Sequence, residues 1–204
     1  MASLRTHAEM LAACQIPTAT LKKMTTQAVI QAILDHPLIS LMIYLDGYQS
    51  SWDKVFSGNN ACAELAKRND SGKLLLERLI AVNPLSLQHF IKDIELEFLF
   101  SQYLEHPDDM RTIVEVSLRN YELRQRSLEY GNTFHFLRDV TLILIGRAML
   151  AAKYAPFVNA VNENQSLQLY IGGSASYLYR DGGLRYVPIQ PIIIDFAINF
   201  INEK

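Results

Sequence analysis

The chain has 204 residues, 50% hydrophobic and 20% charged, which is ordinary for a globular protein and long enough for one sizeable core. Lys and Arg number 19 against 21 Asp and Glu, a formal net charge of -2, so the basic surplus on which nucleic-acid binders depend is missing. The two cysteines, Cys14 and Cys62, are too few for a disulfide framework; they can pair, but read better as small buried hydrophobes.

Met1 to His7 holds no uninterrupted apolar run, so no signal peptide is expected there. The expected location is cytoplasmic, or exported if a leader has been removed. Ser3 to Cys14 has Leu4, Met10, Leu11 and Cys14 on roughly one helical face, and Pro17 stops or restarts the chain. A short turn over Thr18 to Met24 follows. Thr25 or Thr26 is placed to cap a helix through Ala28, Val29, Ala32 and Ile33, because a threonine hydroxyl accepts from a free N–H. That helix should end before Pro37, since the residue ahead of proline is pushed out of the α region.

Leu38 to Leu45 is short and apolar and reads as helix, ended by the Asp46-Gly47 turn signal. Ser50 or Ser51 should cap a helix with Trp52, Val55 and Phe56, and Asn60 should cap the next, Ala61 to Arg68. Asp70 or Ser71 then opens Lys73 to Val82, with Leu75, Leu76, Leu79 and Ile80 as its apolar stripe. Asn83-Pro84 closes it.

Ser86 to Glu105 carries Phe90, Ile91, Ile94, Phe98 and Leu104 at helical steps. Asp108 and Asp109 bring negative charge to the start of the next helix, which runs from Met110 to about Leu128. Its Glu115–Arg119 and Glu122–Arg126 spacings are those of a solvated face. After the Tyr130-Gly131-Asn132 break a long helix runs from Phe134 to about Asn162, apolar on nearly every side between Val140 and Met149, which predicts a central buried position. Pro156 should kink or split it. The run Val140 to Ala152 is too short to span a bilayer and includes Arg147, so no membrane span is expected.

Leu167 to Ile171 alternates, and Ser176 to Tyr179 and Leu184 to Val187 are separated by Arg180-Asp181-Gly182-Gly183. This predicts a β-hairpin over about 167–187. Pro191 to Asn202 returns to helical spacing. The expected fold is therefore mainly α: a multi-helix array of packed helical hairpins, one domain over 1–204, with a small C-terminal β-hairpin.

No catalytic or metal signature accompanies these elements. The histidines stand outside zinc-motif spacings, although His36, Glu105 and His106 would form a ligand cluster if two helix ends met. There is no Gly-x-Ser-x-Gly elbow, and Gly172-Gly173 reads as a turn rather than a phosphate loop. Asp93, Glu95 and Glu97 are close in sequence, but Glu95 and Glu97 point to different helix faces. No catalytic residue, metal or cofactor is assigned. The candidate binding residues are Tyr177, Tyr179, Arg180, Arg185 and Tyr186, because tyrosine and arginine are enriched in binding hot spots, and Trp52, whose neighbours Tyr44 and Tyr48 suggest an aromatic pocket.

Cys14-Gln15-Ile16-Pro17, Leu21-Lys22-Lys23-Met24-Thr25-Thr26-Gln27-Ala28, His36-Pro37-Leu38 and Asn60…Glu64-Leu65…Arg68-Asn69-Asp70 resemble the opening of an uncharacterised helical protein family of bacteria. The resemblance covers about residues 14–80 and implies helical structure. Many such proteins are exported, and the family brings no activity and no catalytic residue. The expected function is a non-catalytic interaction module for a protein or peptide partner. The alternatives are an enzyme with a site assembled from dispersed residues, or a carrier of a small apolar ligand.

Overall fold

A computed structural model of the chain describes residues 6–39, 48–85, 90–104, 109–126, 134–173 and 189–203. Twelve helices stand among the described residues: α1 (His7–Ala13), α2 (Thr18–Leu21), α3 (Thr26–Leu34), α4 (Tyr48–Phe56), α5 (Asn60–Leu65), α6 (Ser71–Ala81), α7 (Phe90–Ser101), α8 (Met110–Arg126), α9 (Phe134–Ala151), α10 (Ala155–Glu163), α11 (Gln165–Ile171) and α12 (Ile189–Asn202). No strand occurs among them.

The hub is α9. Val140, Leu142, Ile143, Leu144, Ile145, Ala148 and Met149 are all fully buried, and α7, α8, α10, α11 and α12 pack around the helix. A helix centre apolar on nearly every side has almost no solvent face to offer, so its neighbours must enclose it. The amino-terminal helices form a second layer, in which α3 packs on α5, α6 and α7, and α6 also reaches α8. The buried side chains of both parts form one continuous cluster.

Local chemistry sets the helix starts. Thr6 and Glu9 form a reciprocal capping box on α1. The Thr25 hydroxyl accepts from Ala28 N at 3.2 Å and opens α3. At α5 the cap is Asn59, one residue before the expected Asn60; its Oδ1 accepts from Ala61 N and Cys62 N. Asn60 instead donates to Ile16 O and accepts from Ile16 N, tying the segment after α1 to α5. Gly58, at φ 86°, makes the left-handed turn just ahead of this cap. Neither Ser50 nor Ser51 is a cap, because α4 already starts at Tyr48.

The long carboxy-terminal helix is split as expected. α9 and α10 meet at 115°, with Lys153 in the left-handed region at φ 55°. Pro156 sits in the first turn of α10, where its missing N–H costs nothing. Together these two helices have the length and composition of a broken apolar span, but no single helix among the described residues is long and apolar enough to cross a membrane.

The expected β-hairpin is corrected in its first strand. Leu167 to Ile171 belongs to α11, whose N-cap Asn164 accepts from Leu167 N at 3.1 Å. Leu167, Tyr170 and Ile171 are buried there: steps of three and four bury a helix face that the apparent alternation concealed. The remaining hairpin positions, 174–187, lie outside the described residues, as does the apolar stretch 40–45.

Candidate functional site: a groove beside a buried ionic network

α3, the end of α6 and the first turns of α7 enclose an open groove of about 490 Å³, lined by Gln31, Leu34, Arg78, Ala81, Val82, Asn83, Lys92, Asp93 and Leu96. Aliphatic groups alternate with amides and charges around it. Arg78 Nη1 donates to Gln31 Oε1 at 3.0 Å and its Nη2 to Gln27 O at 3.3 Å, so the guanidinium is held by neutral partners. Lys92 pairs with Asp35 at 2.7 Å, both half-exposed. Ile80 and Leu85 bracket the lining segment Ala81–Asn83 in the chain and are large exposed hydrophobics, at 47% and 50%.

Asp93 links the groove to the interior. Its carboxyl is pushed up to about 7, first by burial, with Glu97 adding to the rise and Arg124 opposing it. One turn further along α7, Glu97 is fully buried. Arg124 Nη1 on α8 donates to Glu97 Oε1 at 2.7 Å and to Thr141 Oγ1 on α9 at 2.9 Å. The Thr141 hydroxyl donates in turn to Glu97 Oε2. This closed ring joins three helices at their common interface, and its ion pair is 1% and 0% exposed.

Glu95, on another face of α7, is buried as well, and burial pushes its carboxyl up to about 7. Its Oε1 has no hydrogen-bond partner among the described residues. His36 is buried near the end of α3, where desolvation lowers its pKa. Its Nδ1 accepts from Leu38 N at 3.2 Å, and its ring is tilted against Phe56 with centroids 5.2 Å apart. Glu105 and His106, its conjectured ligand partners, lie outside the described residues. Among the described residues no group of three or more His, Cys, Asp or Glu is placed to hold a metal ion.

A second polar centre surrounds Arg147. Its Nε donates to Ile171 O, Nη1 to Ser101 Oγ and Nη2 to Gln49 Oε1, at 2.9–3.1 Å, and its guanidinium lies 5.4 Å from the Phe98 ring centroid. Burial lowers its pKa to about 10. Ile171 ends α11 and Ser101 ends α7, so the cation sits where two helix macrodipoles present their negative ends.

Of the binding residues expected from sequence, Tyr177, Tyr179, Arg180, Arg185 and Tyr186 lie outside the described residues. Trp52 is a core residue: it is 8% exposed, stacked on Phe56 at 4.3 Å and tilted against Phe98 at 5.7 Å. Neither cysteine is bonded, and Cys62 is buried. Sequence spacing missed Asp93, Glu97 and Arg124. The available signal was three acids in five residues on a helix otherwise rich in Phe, Ile and Leu, which leaves little solvated surface for them. No family model, curated protein or solved structure matches the chain.

Proposed function

We propose that the protein is a non-catalytic interaction module whose groove between α3, α6 and α7 takes an acidic, aliphatic peptide segment of a protein partner. The observation that carries this reading is the groove itself: Arg78, bonded only to neutral groups there, stands beside Leu34, Val82 and Leu96. With Lys92 offset by Asp35, Arg78 leaves the rim cationic while Asp93 carries its proton, on a chain whose net charge is -2. A carboxylate side chain suits the guanidinium, and aliphatic neighbours suit the exposed Ile80 and Leu85.

The test is binding of a labelled library of acidic-aliphatic peptides, measured by fluorescence anisotropy for wild type and Arg78→Glu. The expected result is saturable binding by wild type, weakened at least about tenfold in the variant, with helical content unchanged. Equal binding by both proteins, or none by wild type, overturns the reading.

A second reading, an enzyme using Asp93 as general acid or base, is favoured by one observation: its carboxyl titrates at about 7 on the groove wall, where such a group works at neutral pH. Loss of a turnover by Asp93→Asn with peptide affinity retained would select it.

A further inference from the structure

Asp93 is the acid in the lining of the groove, where the two cations are Arg78 and Lys92. It is only 9% exposed, and it makes no hydrogen bond or ion pair among the described residues. The interior cation that acts on it, Arg124, is already paired with Glu97 at 2.7 Å. Glu97 itself stands one turn further along α7. An ionised carboxylate at this position is therefore desolvated, lacks a donor and lies near a second carboxylate. All three effects favour the protonated form, and the carboxyl is raised to about 7 accordingly.

The other charges packed around α7 do not change the groove's balance near neutral pH. α6 contributes Arg78, and an arginine keeps its charge throughout this range. At the end of α3, Asp35 pairs with Lys92 and its carboxyl is lowered. On α8, Arg124 is offset by Glu97. α9 brings the neutral Thr141 to that pair, while its Asp139 is bonded to Tyr170 and Gln190. Glu95 also titrates at about 7, and His36 is lowered by burial, but neither lines the groove. The groove thus carries one net positive charge with Asp93 protonated and none with it ionised.

We infer that Asp93 is the specificity-determining residue of this groove: with its proton on, the groove accepts an acidic peptide segment, and with its proton off, Asp93 repels that segment. The inference rests on the peptide-binding reading above and adds its regulation. A groove of 490 Å³ spans on the order of 10 Å, about one screening length at 0.1 M salt. A carboxylate seated on Arg78 therefore feels the charge of Asp93. By linkage, binding of such a segment raises the proton affinity of Asp93, and the complex takes up a proton near neutral pH.

The test uses the full chain and the labelled acidic-aliphatic peptide library, with blocked termini and no histidine. Anisotropy titrations run from about pH 5.5 to about pH 8.5, where the peptide carboxylates stay ionised. Wild type should bind about threefold to tenfold more weakly at the upper end, with the change centred near pH 7. Asp93→Asn should bind with no such slope, and Glu95→Gln should keep it. Calorimetry of wild type at pH 7, in two buffers of different ionisation enthalpy, should show net proton uptake on binding and needs no variant. Peptide binding that is independent of pH and takes up no proton overturns the inference and leaves the peptide-binding reading standing. A slope that persists in Asp93→Asn, or that Glu95→Gln removes, overturns it as well. Absence of binding at every pH overturns both readings.

Discussion

Arg124 and Glu97 form an ion pair at 2.7 Å that is sealed from solvent, with Thr141 closing the ring. Their attraction must offset the desolvation of two ions, so its net worth is small, while the cost of leaving either ion alone is large. Arg124→Met alone should therefore destabilise the fold by about 3–5 kcal/mol. The double variant Arg124→Met, Glu97→Leu should recover most of that loss. Urea unfolding of the two singles and the double, read as a thermodynamic cycle, checks this.

Asp93 and Glu95 give the fold a specific pH dependence. Both carboxyls are raised to about 7 from 3.8 and 4.5, chiefly by burial. The folded state then holds protons that the unfolded chain has released between about pH 4 and 7, so their contribution is fully present below pH 4 and is lost as pH rises through 7. Asp93→Asn with Glu95→Gln should remove this dependence. At pH 8 the variant should have the higher Tm, and the difference should shrink toward zero at pH 4. A difference independent of pH would place the two charges outside the linkage.

Helix positions were legible in the sequence wherever an apolar stripe coincided with a cap or a proline, as at Thr25, Pro37 and Pro156. The central place of α9 was legible because Val140–Met149 is apolar on nearly every side. α11 was misread because Leu167-Gln168-Leu169-Tyr170-Ile171 fits both a two-residue and a helical period; Asn164, which caps it, was the discriminating residue. The groove and the ionic ring were not legible. They combine residues from α3, α6, α7, α8 and α9, and no local pattern records which helices become neighbours. Charge spacing on α8 marked its solvated side but did not show that Arg124 turns inward.

Gly146 tests the close approach of α9 and α11. A Cβ at this position would stand 2.1 Å from Ile171 Cδ1 and 3.1 Å from its Cγ1, with Phe157 Cζ at 3.4 Å. Alanine has the better helix propensity, yet Ile171 would have to leave its buried position to admit the methyl. Gly146→Ala should cost about 1–3 kcal/mol. Pairing it with Ile171→Val should not restore stability fully, because Cγ1 remains. Thermal unfolding of the single and double variants measures both effects.

Asn59 should behave as a cap and not as an ordinary turn residue. Its Oδ1 takes two N–H groups at the start of α5 while the side chain is buried. Asn59→Ala should lose about 1–2 kcal/mol, at the upper end of cap effects, because the freed N–H groups stay dry. Asn59→Asp keeps the acceptor and should retain most of the stability. Chemical denaturation at pH 7 distinguishes the two.

Arg147 holds three chain segments at once: the end of α11 through Ile171 O, the end of α7 through Ser101 and the start of α4 through Gln49. Its positive charge also offsets the carboxy-terminal ends of α7 and α11. Lysine keeps that charge but presents one ammonium in place of a planar fork, and cannot span all three acceptors. Arg147→Lys should therefore lose about 2–3 kcal/mol, more than one ordinary hydrogen bond. Amide exchange should quicken at the carboxy-terminal turn of α11 and the first turn of α4, while the buried centre of α9 stays protected except through global unfolding. Uniformly faster exchange would mean that Arg147 supports the whole fold rather than this junction.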